Sequence, residues 1–377
     1  MASITDQLSE GYRAAKKAVS SAPPSDAYLR WDAPGIEEIK STEEQTTREI
    51  ADIMKKMQKH NFDQHRHAFR ATHVKTQGIV KGKLTVNYDL PIHLRQGIFA
   101  EAGRVYDVAA RFANEPVFLQ PDQSPGPRGL SLKVFGVNGE LLEGPSEANT
   151  AQDFFFNNAP MIELTDIDTC LDIMKLREKH FDDPVTLKAK TALRTDALKQ
   201  TAPGMLPNTN IISMNFYTQS AFRFGGYYGH MGLFPADDKM SKKASEKVQS
   251  AQSREVLSEW LKEYFTERGA KYEFKIQLGT DPAHHPTEDA SVVWDEATAP
   301  YQTLGFLEFP PQDPLSPARR VFWEDQMSLS PWRGLSAHKP LGSINRLRKV
   351  VYQQSQKNRD ELNANSSRDV NSVDAIP

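Results

Sequence analysis

The chain is 377 residues long, 38% of them hydrophobic and 25% charged, the composition of a soluble globular protein with room for one large core or two ordinary ones. Its formal charge of -3 supplies no broad basic face, which argues against a nucleic acid partner. The single cysteine, Cys170, excludes an intrachain disulfide and any cysteine-rich metal or iron–sulfur site.

The opening "MASITDQLSEGYRAAKK" has an acid and polar residues where a signal peptide needs an apolar run, and no later segment approaches the length of an apolar membrane span. A cytoplasmic protein without an integral membrane segment is expected, and "DAIP" at the end carries no peroxisomal tripeptide of the SKL type. Residues 1–20 read as an amphipathic helix and "SSAPPSDAYLRWDAPG" as a proline-broken extended arm. "STEEQTTREIADIMKKMQKH" reads as a second helix, opened by a capping box from Ser41 to Glu44. Residues 1–60 together form an expected N-terminal helical arm.

From residue 68 to 165 the period changes, and "KGKLTVNY", "VAARFANE", "LSLKVFGV" and "QDFFFNNAPMI" are short runs of β-branched and aromatic residues divided by Gly, Pro and Asn. These predict antiparallel strands. Residues 166–205 read as helical, with Ile167, Leu171 and Met174 at helical spacing around Cys170, which makes the cysteine a small core residue. Strands return at "NIISMNFYTQSAFRFG", a charged helix is expected over 240–268, and "KYEFKIQLGT" and "YQTLGFLEFP" are further strands. The order is α+β, with an antiparallel sheet that suits a barrel, and the polar end, residues 361–377, is expected to be a disordered tail. The pairs His65/His67 and His284/His285 have no third ligand at zinc-like spacing and read as surface or loop residues.

Residues 346–359, "RLRKVVYQQSQKNR", place Arg348, Tyr352 and Arg359 within roughly 40° of one another on a helix, with Leu347 and Val351 turned inward. Alone, this reads as a cationic amphipathic helix with solvated arginines, ahead of a face that holds one ligand.

Four further segments decide between them. "FRATHVKTQG" resembles the segment that carries the distal histidine of haem catalases, with Arg70 three residues before His73, and "VAARFAN" resembles the next strand, with Arg111. "GPRGLSLKVF", around Arg128 and Gly129, resembles the signature "DPRGFAVKF", and "FFFNNAPMI" resembles the segment of the distal asparagine, here Asn157. The helix at 346–359 then resembles the proximal helix, whose R-x-x-x-Y spacing is Arg348 to Tyr352. "TDPAHHPTEDASVVWDE" and "HKPLGSINRLRKVVYQQS" resemble late segments of the small catalase-related proteins, a group that includes catalase-like peroxidases and allene oxide synthases.

The resemblance implies a catalase-like antiparallel β-barrel with surrounding helices, a haem-binding core over residues 61–360, and haem b as the cofactor. Tyr352 would be the axial iron ligand, and Arg348 one turn away is expected to hold it as phenolate. His73 and Asn157 would be the catalytic pair, the imidazole moving the peroxide proton and the amide orienting the peroxide. Arg70, Arg111 and Arg359 would pair with the haem propionates, and Thr72 would border the cofactor beside His73. Two positions depart from the pattern: Thr72 replaces an aliphatic residue, and Ala113 replaces the serine that bonds the distal imidazole, so Thr72 is expected to replace that contact or compete for the ring. The implied activity is a haem peroxidase or catalase acting on hydrogen peroxide and organic hydroperoxides, with a fatty-acid hydroperoxide isomerase or lyase, or a specialised biosynthetic haem oxidase, as the alternative. A haem carrier or sensor needs no distal His–Asn pair and is disfavoured. The implied partner is a small hydroperoxide, and a homo-oligomer is compatible with the resemblance.

Overall fold

Nine short runs of β-branched and aromatic residues pair into one antiparallel sheet: β1 (Lys75–Val86), β2 (Val105–Asn114), β3 (Arg128–Phe135), β4 (Ala151–Asn157), β5 (Phe216–Tyr217), β6 (Phe222–Phe224), β7 (Tyr227–Pro235), β8 (Ala270–Leu278) and β9 (Tyr301–Phe309). The structure, a computed structural model, describes residues 25–115, 117, 119–142 and 150–377, so the helix expected at 1–20 lies outside the described residues. The strand order β5-β4-β3-β2-β1-β9-β8-β7 closes on itself through β5 and β7, and β6 hangs on β7 as a hairpin. Closure leaves no exposed edge on the ring.

Alternation along β2, β3 and β4 builds two environments. Val108, Ala110, Phe112, Leu130, Leu132, Phe154 and Phe156 join the barrel core. The residues between them face outward in register: Arg111 beside Ser131 and Phe155, and Ala113 beside Gly129 and Asn157. This outer face receives the cavity described below.

The helices are α1 (Glu43–His65), α2 (Ile167–Lys179), α3 (Pro184–Ala192), α4 (Ala197–Thr201), α5 (Asp238–Lys242), α6 (Val256–Glu267), α7 (Pro317–Val321) and α8 (Ser343–Leu362). A second apolar cluster joins Ile50, Met54 and Met57 of α1, Ile167, Cys170 and Met174 of α2, and Ile344, Leu347 and Val351 of α8. Cys170 is thus buried, as its helical spacing predicts. No helix among the described residues is long and apolar enough to cross a membrane.

Several local expectations differ from the structure for identifiable reasons. The capping box does not form: Thr42 is the N-cap with no side-chain bond, and Glu43 instead accepts from Arg346 at 2.6 and 2.8 Å. The helical stretch 166–205 breaks where Asp183 caps a new helix, accepting from the Thr186 amide at 3.0 Å, with Pro184 in its first turn. The charged helix expected at 240–268 is interrupted between α5 and α6, because the Arg254 carbonyl accepts from Lys75 Nζ at 2.7 Å and from the Asp122 amide at 3.0 Å. β7 is an additional strand whose sequence, "YYGHMGLFP", carries glycines that read as breakers. A Cβ on Gly229 would lie 2.3 Å from the Gln277 carbonyl oxygen, so the glycine permits close pairing with β8.

The polar end is also not a disordered tail. Val370 and Ile376 are buried against Trp323 and Ala109, the Arg368 amide donates to Gln326 O at 2.8 Å, and Arg319 Nε donates to Pro377 O at 2.9 Å. Two apolar residues anchor a segment whose average composition is polar.

A buried ionic network ties β3 and β4 to the chain before α8. Lys133 Nζ lies 2.6 Å from Asp153 Oδ1, Arg333 Nη1 lies 2.8 Å from Asp153 Oδ2, and the Ser330 amide donates to the same oxygen at 2.9 Å. Lys133 and Asp153 have no exposure at all. Replacing one partner strands the other charges in the interior, at a cost of about 3–5 kcal/mol. Asp153→Ala is therefore expected to lower stability in urea unfolding by an amount of that order. The paired replacement Lys133→Met with Asp153→Leu should recover part of it, and an unperturbed Asp153→Ala protein would contradict the network's role.

Candidate functional site

Between the outer face of β2–β4 and the layer of α1, α2 and α8 lies a cavity of about 180 Å3 that opens to solvent. Every candidate site residue from the sequence lines it: Arg70, Thr72 and His73 from the segment before β1, Arg111 from β2, Asn157 from the end of β4, and Arg348, Tyr352 and Arg359 from α8. Sequence separation of almost 290 residues is closed by the barrel register on one side and helical periodicity on the other.

His73 has a left-handed backbone, φ 54°, a conformation that a non-glycine residue keeps only when its surroundings impose it. Two bonds do so: its amide donates to Glu115 O at 2.8 Å, and Arg111 Nη2 donates to its carbonyl at 2.6 Å. The ring rests on Gly129, where a Cβ would lie 2.4 Å from Cε1 and 2.5 Å from Nδ1, so only glycine admits the imidazole here. Burial, then the Arg111 and Arg348 charges, push its pKa down to about 3, and the ring is neutral.

No protein hydrogen bond reaches either ring nitrogen among the described residues. Thr72 therefore neither replaces the missing serine contact nor competes for the ring, contrary to expectation. Packing on Gly129, with Ala113 beside it in register, takes over the positioning.

Asn157 is the member of the Asn pair that lines the cavity. Its Oδ1 accepts from the Asn158 amide at 2.9 Å, which leaves Nδ2 as a donor without a protein partner among the described residues. Asn158 turns away, its Oδ1 accepting from the Arg128 amide at 2.8 Å.

The Tyr352 ring packs edge-on against Phe155, with centroids 5.0 Å apart, and its hydroxyl has no protein hydrogen bond among the described residues. Burial raises its pKa more than Arg348 and Arg70 lower it. Arg348 alone thus does not hold Tyr352 as phenolate; its Nη1 donates to Asn345 Oδ1 at 3.0 Å. The phenol oxygen is open to a ligand whose own charge would complete the ionisation.

The arginine cluster contains a residue that sequence reading missed. Glu324 Oε2 lies 2.6 Å from Arg70 Nη1 and its Oε1 lies 2.9 Å from Arg111 Nε, while Thr76 donates its hydroxyl to the same Oε1. Glu324 sits in a π-helical turn, Phe322–Gln326, an irregularity that sequence periodicity does not announce. Arg359 Nη2 donates to Ser367 Oγ at 3.0 Å, but its Nε is buried without a partner. The unpartnered guanidinium edge, the free phenol oxygen and the free amide donor fit a planar metal cofactor that carries carboxylates.

Glu115, Glu163 and Arg177 also line the cavity and were not foreseen, although Glu115 directly follows the arginine strand. Of the histidine pairs, His65 and His284 are exposed, while His285 lies in a loop but is buried, its Nδ1 accepting from the Thr280 amide at 3.2 Å. Among the described residues no group of three His, Cys, Asp or Glu side chains is placed to hold a metal ion.

The two arginines hold the Glu324 carboxyl down at about 2, against an ordinary value of 4.5. A depressed carboxyl contributes stability above its unfolded value and loses it as pH falls. The stability deficit of Glu324→Gln, followed as thermal midpoint, is expected to be full above pH 4.5 and to vanish as pH approaches about 2. A deficit independent of pH would remove the charge argument.

No family model matches the chain, and no curated protein does. Among solved structures, a fungal catalase matches with a TM-score of 0.59 and 16% identity, over 81% of this chain and 64% of that one. Catalase A from Saccharomyces cerevisiae matches with a TM-score of 0.55 and 15% identity, over 80% of this chain and 62% of that one. The chain thus spans less than two thirds of the length of either catalase. At these identities the likeness is one of architecture, and the closed antiparallel barrel with its layer of helices is a catalase-like α+β fold.

Proposed function

We propose that the protein is a haem-dependent, catalase-related peroxidase that consumes hydrogen peroxide and organic hydroperoxides. The observation that carries this reading is the convergence of His73, Asn157, Tyr352 and three arginines on one cavity of a catalase-like fold. Tyr352 Oη would ligate the iron of haem b, and Arg70, Arg111 and Arg359 would receive its propionates. Haem, when bound, supplies the iron at which the O–O bond of a hydroperoxide is cleaved.

The chain's own groups handle positioning and protons. The neutral His73 imidazole takes the hydroperoxide proton and returns it to the departing oxygen, and Asn157 Nδ2 donates to the hydroperoxide and fixes its orientation. Glu324 keeps Arg70 and Arg111 in place. The apolar part of the cavity wall, Met54, Met174, Ile344 and Leu347, suits the hydrocarbon face of the cofactor. We take the cytoplasm as the site of action. An isomerase or lyase remains the second reading, favoured by the Thr72–His73 pair on the cavity wall.

Two variants test the roles. Tyr352→Phe is expected to lose most of its haem or its ferric spectrum, and an unchanged spectrum would reject the ligand. His73→Ala should keep haem and lose roughly 100-fold or more in hydroperoxide turnover, with a smaller loss for Asn157→Ala.

Oxygen release, hydroperoxide loss and organic products measured together identify the reaction. With a two-electron reductant supplied in the assay, faster consumption of an organic hydroperoxide than of hydrogen peroxide is expected, with an alcohol and water as products. Oxygen as the main product from hydrogen peroxide at near diffusion-limited rates would instead make the protein a true catalase, and an allene oxide would make it an isomerase.

A further inference from the structure

Residues 184–205 stand apart from the rest of the helical layer. None of them is buried: α3, α4 and the 3₁₀ turn Ala202–Met205 contribute no side chain to the apolar cluster of α1, α2 and α8. Val185, Leu193, Leu198 and Met205 are instead 78%, 81%, 70% and 56% exposed. On α3 this exposure is ordered. At about 100° per residue, Val185, Ala189, Ala192 and the C-cap Leu193 fall within about 100° of one another, and Lys188 and Lys190 flank that stripe on either side. Leu187 and Thr191 lie on the opposite, partly covered face.

Charge separates this segment from the chain as a whole, whose formal charge is -3. It carries Lys188, Lys190, Arg194 and Lys199 against one acid, Asp196. Arg194 Nε and Asp196 Oδ1 pair with each other at 2.7 Å, and Lys199 Nζ donates to the neutral Ser291 Oγ at 2.7 Å. Lys188 and Lys190 are exposed, with no hydrogen bond or ion pair among the described residues. Polar bonds hold the segment in place. Gln200 Nε2 donates to the carbonyl of Glu163, a cavity-lining residue, at 2.7 Å, which sets the segment beside the cavity, and Arg194 Nη1 lies 3.7 Å from Asp172 of α2.

We propose that α3 and the turns after it are a docking face for an anionic lipid surface, the apolar stripe entering the acyl boundary and Lys188 and Lys190 meeting the head groups. A fluid interface accepts side chains that protrude singly, whereas a protein partner needs a matched pocket for each. A second copy of this chain is a poor occupant, because a two-fold contact through the stripe sets Lys188 and Lys190 against their own equivalents. The docking face is independent of the reaction performed in the cavity.

The test is flotation of the whole chain with vesicles of phosphatidylcholine, alone or mixed with phosphatidylserine. Binding to the mixed vesicles is expected, weakening as salt is raised and much lower on phosphatidylcholine alone. Lys188→Glu with Lys190→Glu should weaken it by roughly 30-fold or more. Val185→Gln with Leu193→Gln should weaken it by roughly tenfold or more. Both pairs lie at exposed positions, so the thermal midpoint should stay at the wild-type value, and a large fall would mark these side chains as structural and overturn the proposal. No binding to the mixed vesicles, or binding that both pairs leave unchanged, also overturns it. A dimer in sedimentation equilibrium that Val185→Gln with Leu193→Gln dissociates, without vesicle binding, would assign the face to a second copy instead.

Discussion

A cavity can be lined by several guanidinium groups only if negative charge or carbonyl oxygens reach them, because each buried cation otherwise costs several kcal/mol. Arg70, Arg111 and Arg359 converge on one wall, and the protein supplies Glu324, Thr76 and the carbonyls of His73 and Trp323 to the first two. These contacts join the segment before β1, strand β2 and the π-helical turn between α7 and α8. The π-helical turn delivers one carboxylate between two arginines. Arg359 receives less: among the described residues its buried Nε has no partner.

The opposite requirement, room for a neutral ring, is met by the sheet. Register places Gly129 between Ala113 and Asn157 on the outer face, so the positions nearest His73 carry no side chain, a methyl group and an amide. The left-handed turn at His73 lays the ring on that gap, and its strain is offset by the two bonds to its peptide groups. Ala113 needs no hydroxyl in this arrangement, because packing on Gly129 and not a hydrogen bond fixes the imidazole.

What the sequence discloses of this site follows from range. The α8 triad is legible because helical spacing is a local property, and β2, β3 and β4 are legible because apolar alternation is local too. Glu324 is not: its partners lie 213 to 254 residues away, and "VFWEDQ" has no periodic signal. The same limit explains β7, whose glycines matter only once β8 lies against them, and the tail, where Val370 and Ile376 have meaning only beside Trp323. The ionisation of Tyr352 is instructive in another way. Spacing reveals the attractive charge of Arg348, but the desolvation that outweighs it is a property of the assembled cavity.

The cavity is consequently polarised. Near α8 and β2, guanidinium charge adds to burial in depressing His73 to about 3 and overrides it in holding Glu324 at about 2, whereas burial prevails at Tyr352. Near α2, one arginine is shared by two carboxyl groups, burial prevails, and Glu115 rises to about 7. The two walls of one cavity thus differ in the charge they can accept: several guanidinium groups line one, and a single arginine between two carboxyl groups lines the other.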